Sequence, residues 1–394
     1  MVLRKRYLEK LKAIRDEPVI KVITGVRRCG KSTLLAQFQE VLKSEGIAPE
    51  RIVAVNFEDL AFEALLDYRK LYEYLKERLS DTDMTYVFLD EIQQVPQFEK
   101  AVDSLYIQPN VDLYLTGSNA IMRSNELATL LSGRYVEIDL LPLSFAEYDS
   151  WKGGDKRNNW NAYYRNGGFP YTLRIQDDVV WREYLQGIYH TVLLKDIAAR
   201  EKIGDINLLE SVVRFLFDNV GNIVSPNKIA NSLSSYGRKT ISVTIENYIK
   251  ALMDAFVFYK AGRYNIRGKQ HLKTLEKYYI VDVGLRRMLL GDSGADTGHM
   301  LENIVYLELI RRGYRVSIGK WDDQEIDFIA EAGSERIYYQ VSASVLDPVT
   351  FAREIAPLKA VKDNYPKFIL SLDEIPIDEA GIRQINIIDF LLDE

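Results

Sequence analysis

The feature that most constrains the fold is the stretch Gly25-Val26-Arg27-Arg28-Cys29-Gly30-Lys31-Ser32. It fits the pattern G-x-x-x-x-G-K-[ST] at every defined position. Just before it, Val19-Ile-Lys-Val-Ile-Thr24 is apolar and β-branched, which predicts a buried strand. Just after it, Leu34, Leu35, Phe38, Val41 and Leu42 recur at helical spacing, which predicts a helix packed on a sheet. In that order, strand, loop and helix can cradle a phosphate. Backbone N–H groups curl around the anion, and the helix presents its positive end. Lys31 reaches the β/γ oxygens, and the Ser32 hydroxyl is offered to Mg²⁺. Gly25, Val26, Arg27, Arg28, Cys29, Gly30, Lys31, Ser32 and Thr33 are therefore the expected nucleotide-binding residues. The competing reading is a glycine turn that binds nothing.

Met84-Thr-Tyr-Val-Phe-Leu-Asp-Glu91 is an apolar run ending in two acids, as a parallel strand does where open α/β sheets bind ligands. Asp90 is expected to hold Mg²⁺ through its water shell, and Glu91 to orient or deprotonate the attacking water. Val111-Asp-Leu-Tyr-Leu-Thr116 predicts another strand, ending in Gly117-Ser118-Asn119. Asn119 is expected either to contact the γ-phosphate or its water, or to form an Asx-turn or helix cap. Arg51-Ile-Val-Ala-Val-Asn-Phe57 reads as one more strand. Repeated strand–helix alternation predicts an α/β fold with a parallel sheet covered on both faces.

These segments, with Leu115-Thr-Gly-Ser-Asn-Ala120, Ser132-Gly-Arg134 and Pro142-Leu-Ser-Phe-Ala-Glu-Tyr148, resemble the prokaryotic AAA-type P-loop ATPases that carry a C-terminal domain of unknown function. Their order and spacing run through most of the chain. The resemblance implies a P-loop NTPase sheet, ATP and Mg²⁺ as ligand and cofactor, and hydrolysis of ATP. It also implies an arginine acting as sensor or finger on the γ-phosphate. Arg134 is the first candidate and Arg123 the second, in cis or from a neighbouring copy in a homo-oligomer; a surface or strand-start arginine is the alternative.

At about 100–200 residues per domain, 394 residues predict two to four domains. The expected division is an ATPase domain over 1–152, a helical connector over 153–204, a winged helix-turn-helix over 205–292 and a nuclease-like domain over 293–394. Ser144-Phe-Ala-Glu147 reads as a capping box, and residues 177–200 as one helix. Asn166-Gly-Gly-Phe-Pro-Tyr171 reads as a turn; the resemblance marks it as a family hallmark without giving it a role. Three helical stripes begin at Leu209, Ile229 and Ile241, and a hairpin surrounds Gly262-Arg-Tyr-Asn265. Ser242, Thr244, Asn247 and Lys250 are expected on the exposed side of the third helix. From Lys260 to Lys277, six cations (Lys260, Arg263, Arg267, Lys269, Lys273, Lys277) face Glu276 alone, in a protein of net charge −6. Such a patch suits double-stranded DNA, or docking on an acidic protein face.

The last segment resembles the PD-(D/E)xK nuclease core. Asp327 matches its first acid and Glu302 lies on the helix before it, but the E-x-K position reads Gln340-Val-Ser342. A neutral Gln is a poor Mg²⁺ ligand, and Ser lacks the cation. A retained scaffold is expected, with Glu302 and Asp327 left to hold metal weakly. The single cysteine, Cys29, excludes an internal disulfide framework, and only three His argue against a His-rich metal site. Cys29 is expected either as a reactive thiolate beside Arg27, Arg28 and Lys31, or as a packed-away thiol. No apolar run approaches the roughly 18 residues that span a bilayer, and the first ten residues lack an apolar signal core. The expectation is a cytoplasmic Mg²⁺-dependent ATPase without membrane contact. A non-hydrolysing nucleotide-bound interaction protein and an ATP-regulated nuclease are the alternatives.

Overall fold

The computed structural model describes residues 2–117, 131–198, 203–292 and 297–393. They form two compact units, Met1–Pro142 and Leu143–Glu394.

The first unit is built on five strands: β1 (Ile20–Thr24), β2 (Ile52–Asn56), β3 (Thr85–Asp90), β4 (Val111–Thr116) and β5 (Tyr135–Asp139). They pair in the order β2-β3-β4-β1-β5, every pair parallel. Among the described residues its α-helices are α1 (Lys5–Ala13), α2 (Lys31–Ser44), α3 (Tyr68–Lys76) and α4 (Phe98–Tyr106). The two-residue period of a strand sorts the side chains. Ile20, Val22, Val87, Leu89, Leu113 and Leu115 join Leu71, Leu75, Phe98 and Val102 in one core. The aromatic rings of Phe88 and Tyr114 stack at 4.7 Å, with Phe38 of α2 5.2 Å from Tyr114. Parallel pairing brings the carboxyl ends of the strands to one edge, where Ile23 lies opposite Thr116 and Asn56 opposite Asp90. The phosphate-loop candidate and Asp90-Glu91 therefore share an edge, with β4 between their strands.

In the second unit the Ser144/Glu147 capping box opens α5 (Phe145–Lys152). Then come α6 (Lys156–Asn166) and α7 (Asp178–His190), which continues in π-helical turns over Thr191–Ala198. Next are α8 (Ile206–Asp218), α9 (Pro226–Ser235), α10 (Ser242–Asp254), α11 (Val283–Leu290), α12 (Thr297–Arg311), α13 (Pro348–Ala360) and α14 (Ile387–Leu392). The strands are β6 (Ile223–Val224), β7 (Phe258–Asn265), β8 (Gln270–Ile280), β9 (Arg315–Trp321), β10 (Gln324–Ala332), β11 (Glu335–Val341), β12 (Lys367–Ser371), β13 (Asp378–Glu379) and β14 (Ile382–Asn386). All nine form one sheet, in the order β13-β14-β12-β11-β10-β9-β7-β8-β6. The hairpin expected around Gly262–Asn265 as a wing turns later instead, since those residues belong to β7 and the chain reverses between Asn265 and Gln270, and the β7–β8 hairpin lies inside this sheet. Arg263, Tyr264 and Asn265 pair in parallel with Ile318, Gly319 and Lys320 of β9. The sheet thus takes strands from both sides of the boundary that was expected between 292 and 293.

The Asn166-Gly-Gly turn wraps a buried carboxylate. A Cβ on Gly167, at φ +80°, would stand 2.1 Å from Asp282 Oδ1. The Gly168 N–H donates to the other Asp282 oxygen, and the Gly284 N–H donates to Oδ1 at 2.9 Å. Burial pushes the Asp282 carboxyl up to about 6 against these donors. Among the described residues no helix is long and apolar enough to cross a membrane.

Candidate functional site: the phosphate loop and its carboxylates

The loop is held open from beneath. Gly25 adopts φ +142°, and a Cβ there would lie 2.3 Å from the Leu140 carbonyl oxygen, so glycine alone fits. Gly30 at φ +106° turns the chain so that α2 begins at Lys31. The Lys31 ammonium is buried and donates to the carbonyls of Gly25 (3.1 Å) and Val26 (3.3 Å). Glu91 Oε1 stands 4.0 Å away. Ser32 is exposed, and its hydroxyl hydrogen-bonds the Asp90 carboxylate. Thr33 is half-buried on the first turn of α2. Arg28 is exposed, and Arg27 lies 3.8 Å from Glu58.

Thr116, at the end of β4, ties the acids together. Its hydroxyl donates to Asp90 Oδ1 and accepts the Glu91 N–H at 2.9 Å. Glu91 itself sits in the left-handed region at φ 57°, a conformation a side chain rarely adopts without outside support. Gln93 donates to its Oε2. Burial pushes the Asp90 carboxyl above the ordinary carboxylate range, against the hydrogen bonds from Thr116 and Ser32. A divalent cation would offset that cost. The donor set suits Mg²⁺, which takes one or two protein oxygens and completes its octahedron with phosphates and water.

Two contributors had no signal in the sequence reading. Thr116 appeared there only as the last residue of a strand. Arg4 lay in a segment that reads as uniformly charged, yet it is 2% exposed. Its guanidinium donates to the Cys29 carbonyl (3.1 Å) and the Leu141 carbonyl (2.7 Å), bracing the loop from behind. The spacing of Tyr7, Leu8 and Leu11, all buried, was the available clue that α1 packs against the domain.

Several expectations need correction. Arg134 precedes β5, whose first residue, Tyr135, lies opposite Ile20 at the amino end of β1. Its guanidinium rests over the Tyr106 ring at 5.4 Å. The phosphate loop leaves the other end of β1, four residues or about 13 Å away, so Arg134 is no sensor for its own chain's nucleotide. Asn119 and Arg123 lie outside the described residues. Cys29 is fully buried, and burial pushes its thiol up, against the nearby charges of Lys31 and Arg4. The thiolate expectation fails for that reason.

The cationic stretch also changes character. Lys260 pairs with Glu276 at 2.9 Å and Arg267 with Asp322 at 3.0 Å. Lys277 is buried between Glu325 (2.8 Å) and Glu302 (3.2 Å). Its ammonium stands where weak metal binding by Glu302 and Asp327 was expected. Asp327 accepts the Val341 N–H at 2.8 Å, and Gln340 donates to Glu354 at 2.9 Å. Among the described residues no group of three or more His, Cys, Asp or Glu could hold a metal ion.

Residues 17–149 match the family described as AAA domain, and residues 157–296 match a domain of unknown function, DUF8612. An uncharacterized protein of Haemophilus influenzae is 43% identical over 100% of this chain and 99% of its own length. Another, from Methanocaldococcus jannaschii, is 30% identical over 94% of this chain and 85% of its own. The solved structure of the Walker-type ATPase paby2304 of Pyrococcus abyssi shares the fold. It superposes with a TM-score of 0.52 over 73% of this chain and 96% of that one, at 16% identity. The chain belongs to the same family as the two uncharacterized relatives, and it carries a P-loop AAA domain followed by a DUF8612 domain.

Proposed function

We propose that this chain is an ATPase that binds Mg-ATP on the Gly25–Thr33 loop, hydrolyses it, and couples the nucleotide state to double-stranded DNA through its second unit. The observation that carries the reading is the state of Lys31. Its charge is held under the loop by two neutral carbonyls. Such contacts orient an ammonium without neutralising it, so its field remains available to the β/γ oxygens. The loop backbone and the N-terminal turn of α2, whose first N–H groups have no acceptor within the helix, would complete the anion cradle.

Ser32 and Asp90 are the residues that would hold Mg²⁺, which when bound neutralises phosphate charge. Glu91, beyond Asp90 and held by Thr116 and Gln93, would take the proton of a water attacking the γ-phosphate in line, and those two contacts support the reading. Arg4 keeps the loop braced against Leu141 during turnover. In the second unit, α8, α9 and α10 followed by β7–β8 have the order of a winged helix, which supports the DNA reading. We read β9–β14 with α12 and α13 as a nuclease-derived scaffold that no longer cleaves.

Fluorescent-nucleotide titration and phosphate release test the ATPase directly. Lys31→Ala should lose tight binding, whereas Glu91→Gln should bind normally and turn over about 100-fold more slowly or worse. Turnover of Glu91→Gln at the wild-type rate would favour a different base. A wild-type chain that binds Mg-ATP and releases no phosphate would make it a nucleotide-bound interaction protein.

A further inference from the structure

We infer that duplex DNA docks on the turn between α9 and α10 and on the outward stripe of α10, and not on the β7–β8 hairpin; the inference rests on the DNA reading above. The hairpin is poorly suited. Along its tip β7 is flanked by β8 on one side and β9 on the other, so its edge is closed. Three of its six cations are already paired with Glu276, Asp322, or Glu302 and Glu325.

The helical pair offers the opposite. From Ser225 to Lys250 the chain holds Lys228, Arg238, Lys239 and Lys250 against Glu246 alone. All four cations are exposed, and none has an ion-pair partner among the described residues. Arg238 and Lys239 lie in the turn immediately before α10. In that position cations meet backbone phosphates and set the register of a helix entering a groove.

The outward face of α10 fits the same partner. Val243, Glu246, Asn247 and Lys250 are exposed at helical spacing, while Ile245, Tyr248, Ile249 and Leu252 are buried on the other side. Ser242 and Thr244, expected to face outward, are half-buried. Two of the stripe's side chains suit base edges, Asn247 the adenine N6/N7 pair and the Val243 methyls the thymine C5-methyl. Tyr236 and Ile241, 82% and 65% exposed, add apolar surface beside the cations. Unpaired positive charge around a narrow stripe of short side chains complements a polyanion with a readable groove.

Fluorescence anisotropy of a labelled mixed-sequence duplex with the full chain, from low to moderate salt, tests this. The triple variant Arg238→Ala/Lys239→Ala/Lys250→Ala should bind about tenfold more weakly or worse at low salt. It should also lose roughly three units of the log–log salt slope, because each phosphate contact contributes about 0.9. Arg267→Ala/Lys269→Ala should stay within about twofold of wild type, since these hairpin cations make no DNA contact in this arrangement. A wild-type far-UV spectrum and urea-unfolding curve for the triple variant show that its second unit has folded, and Glu246→Gln, which removes an anion from the same face, should bind a few-fold tighter. Wild-type affinity and slope in the triple variant overturn the proposed surface while leaving the DNA reading intact. Absence of salt-dependent duplex binding by a wild-type chain that binds Mg-ATP overturns the DNA reading itself, and would point to an acidic protein partner.

Discussion

Among the described residues Lys21, Lys31 and Lys277 are all buried beside carboxylates, and the environments of Lys31 and Lys277 differ in kind. Lys31 meets two backbone carbonyls and stands 4.0 Å from Glu91. Lys277 touches Glu325 at 2.8 Å and Glu302 at 3.2 Å, with Asp327 beyond them. Burial pulls the Lys277 ammonium down, but the charges of Glu302, Asp327 and Glu325 outweigh it and hold it above the usual lysine range. Burial and then the Glu302 charge drive the Asp327 carboxyl well above the ordinary carboxylate range. A cation seated on dipoles keeps its charge for a ligand. A cation seated on two carboxylates is a closed structural unit. The two regions contain similar residues, and only their contacts separate a site from a scaffold.

The contrast is broken or sharpened most strongly by removing the second lysine. Lys277→Met leaves the buried Glu302 and the half-buried Glu325 without their cation, and it should lower the stability of the chain by about 3–5 kcal/mol in urea unfolding. Lys31→Ala removes hydrogen bonds to neutral carbonyls and should cost no more than about 1 kcal/mol. Equal costs for the two changes would erase the distinction.

A third buried group gives a smaller, pH-dependent effect. Asp282 is raised from 3.8 to about 6, so the folded chain binds this proton more tightly than the unfolded chain does. Stability from this group is present in full at low pH and is lost as pH rises from about 4 to about 6. The span is on the order of 3 kcal/mol. Denaturation of wild type and Asp282→Asn across that window isolates it, and parallel pH profiles would contradict the assignment. The smallest effect concerns Cys29. Buried behind the phosphate loop, its thiol should react with a maleimide only at the rate of local opening, seen by intact-mass spectrometry as slow labelling of the folded chain. Complete labelling within minutes would show that the loop opens freely.

The phosphate loop was legible because its chemistry is local. Eight consecutive residues supply the cradle, and one strand end supplies the acids. What the sequence hid depends on long-range pairing. Arg4 reaches Leu141 across 137 positions, and Gly168 reaches Asp282 across 114, with no pattern in either segment to announce the contact. The hairpin was read as a wing because its own residues look like one. Its parallel partner, β9, begins some fifty residues later and leaves no trace in the hairpin itself. Counting charges along the chain failed for the same reason, since Asp322, Glu325 and Glu302 come from other elements and neutralise the cations in space. Arg134 was misplaced because a motif gives order along the chain, whereas the end of the sheet it occupies depends on strand direction.

The most direct test of the account measures Mg-ATP affinity and urea stability side by side in wild type, Lys31→Ala and Lys277→Met. The account predicts that Lys31→Ala loses nucleotide binding at near-wild-type stability. It predicts that Lys277→Met loses stability while its folded fraction binds Mg-ATP as wild type does. Nucleotide binding that survives Lys31→Ala, or disappears from folded Lys277→Met, would contradict it.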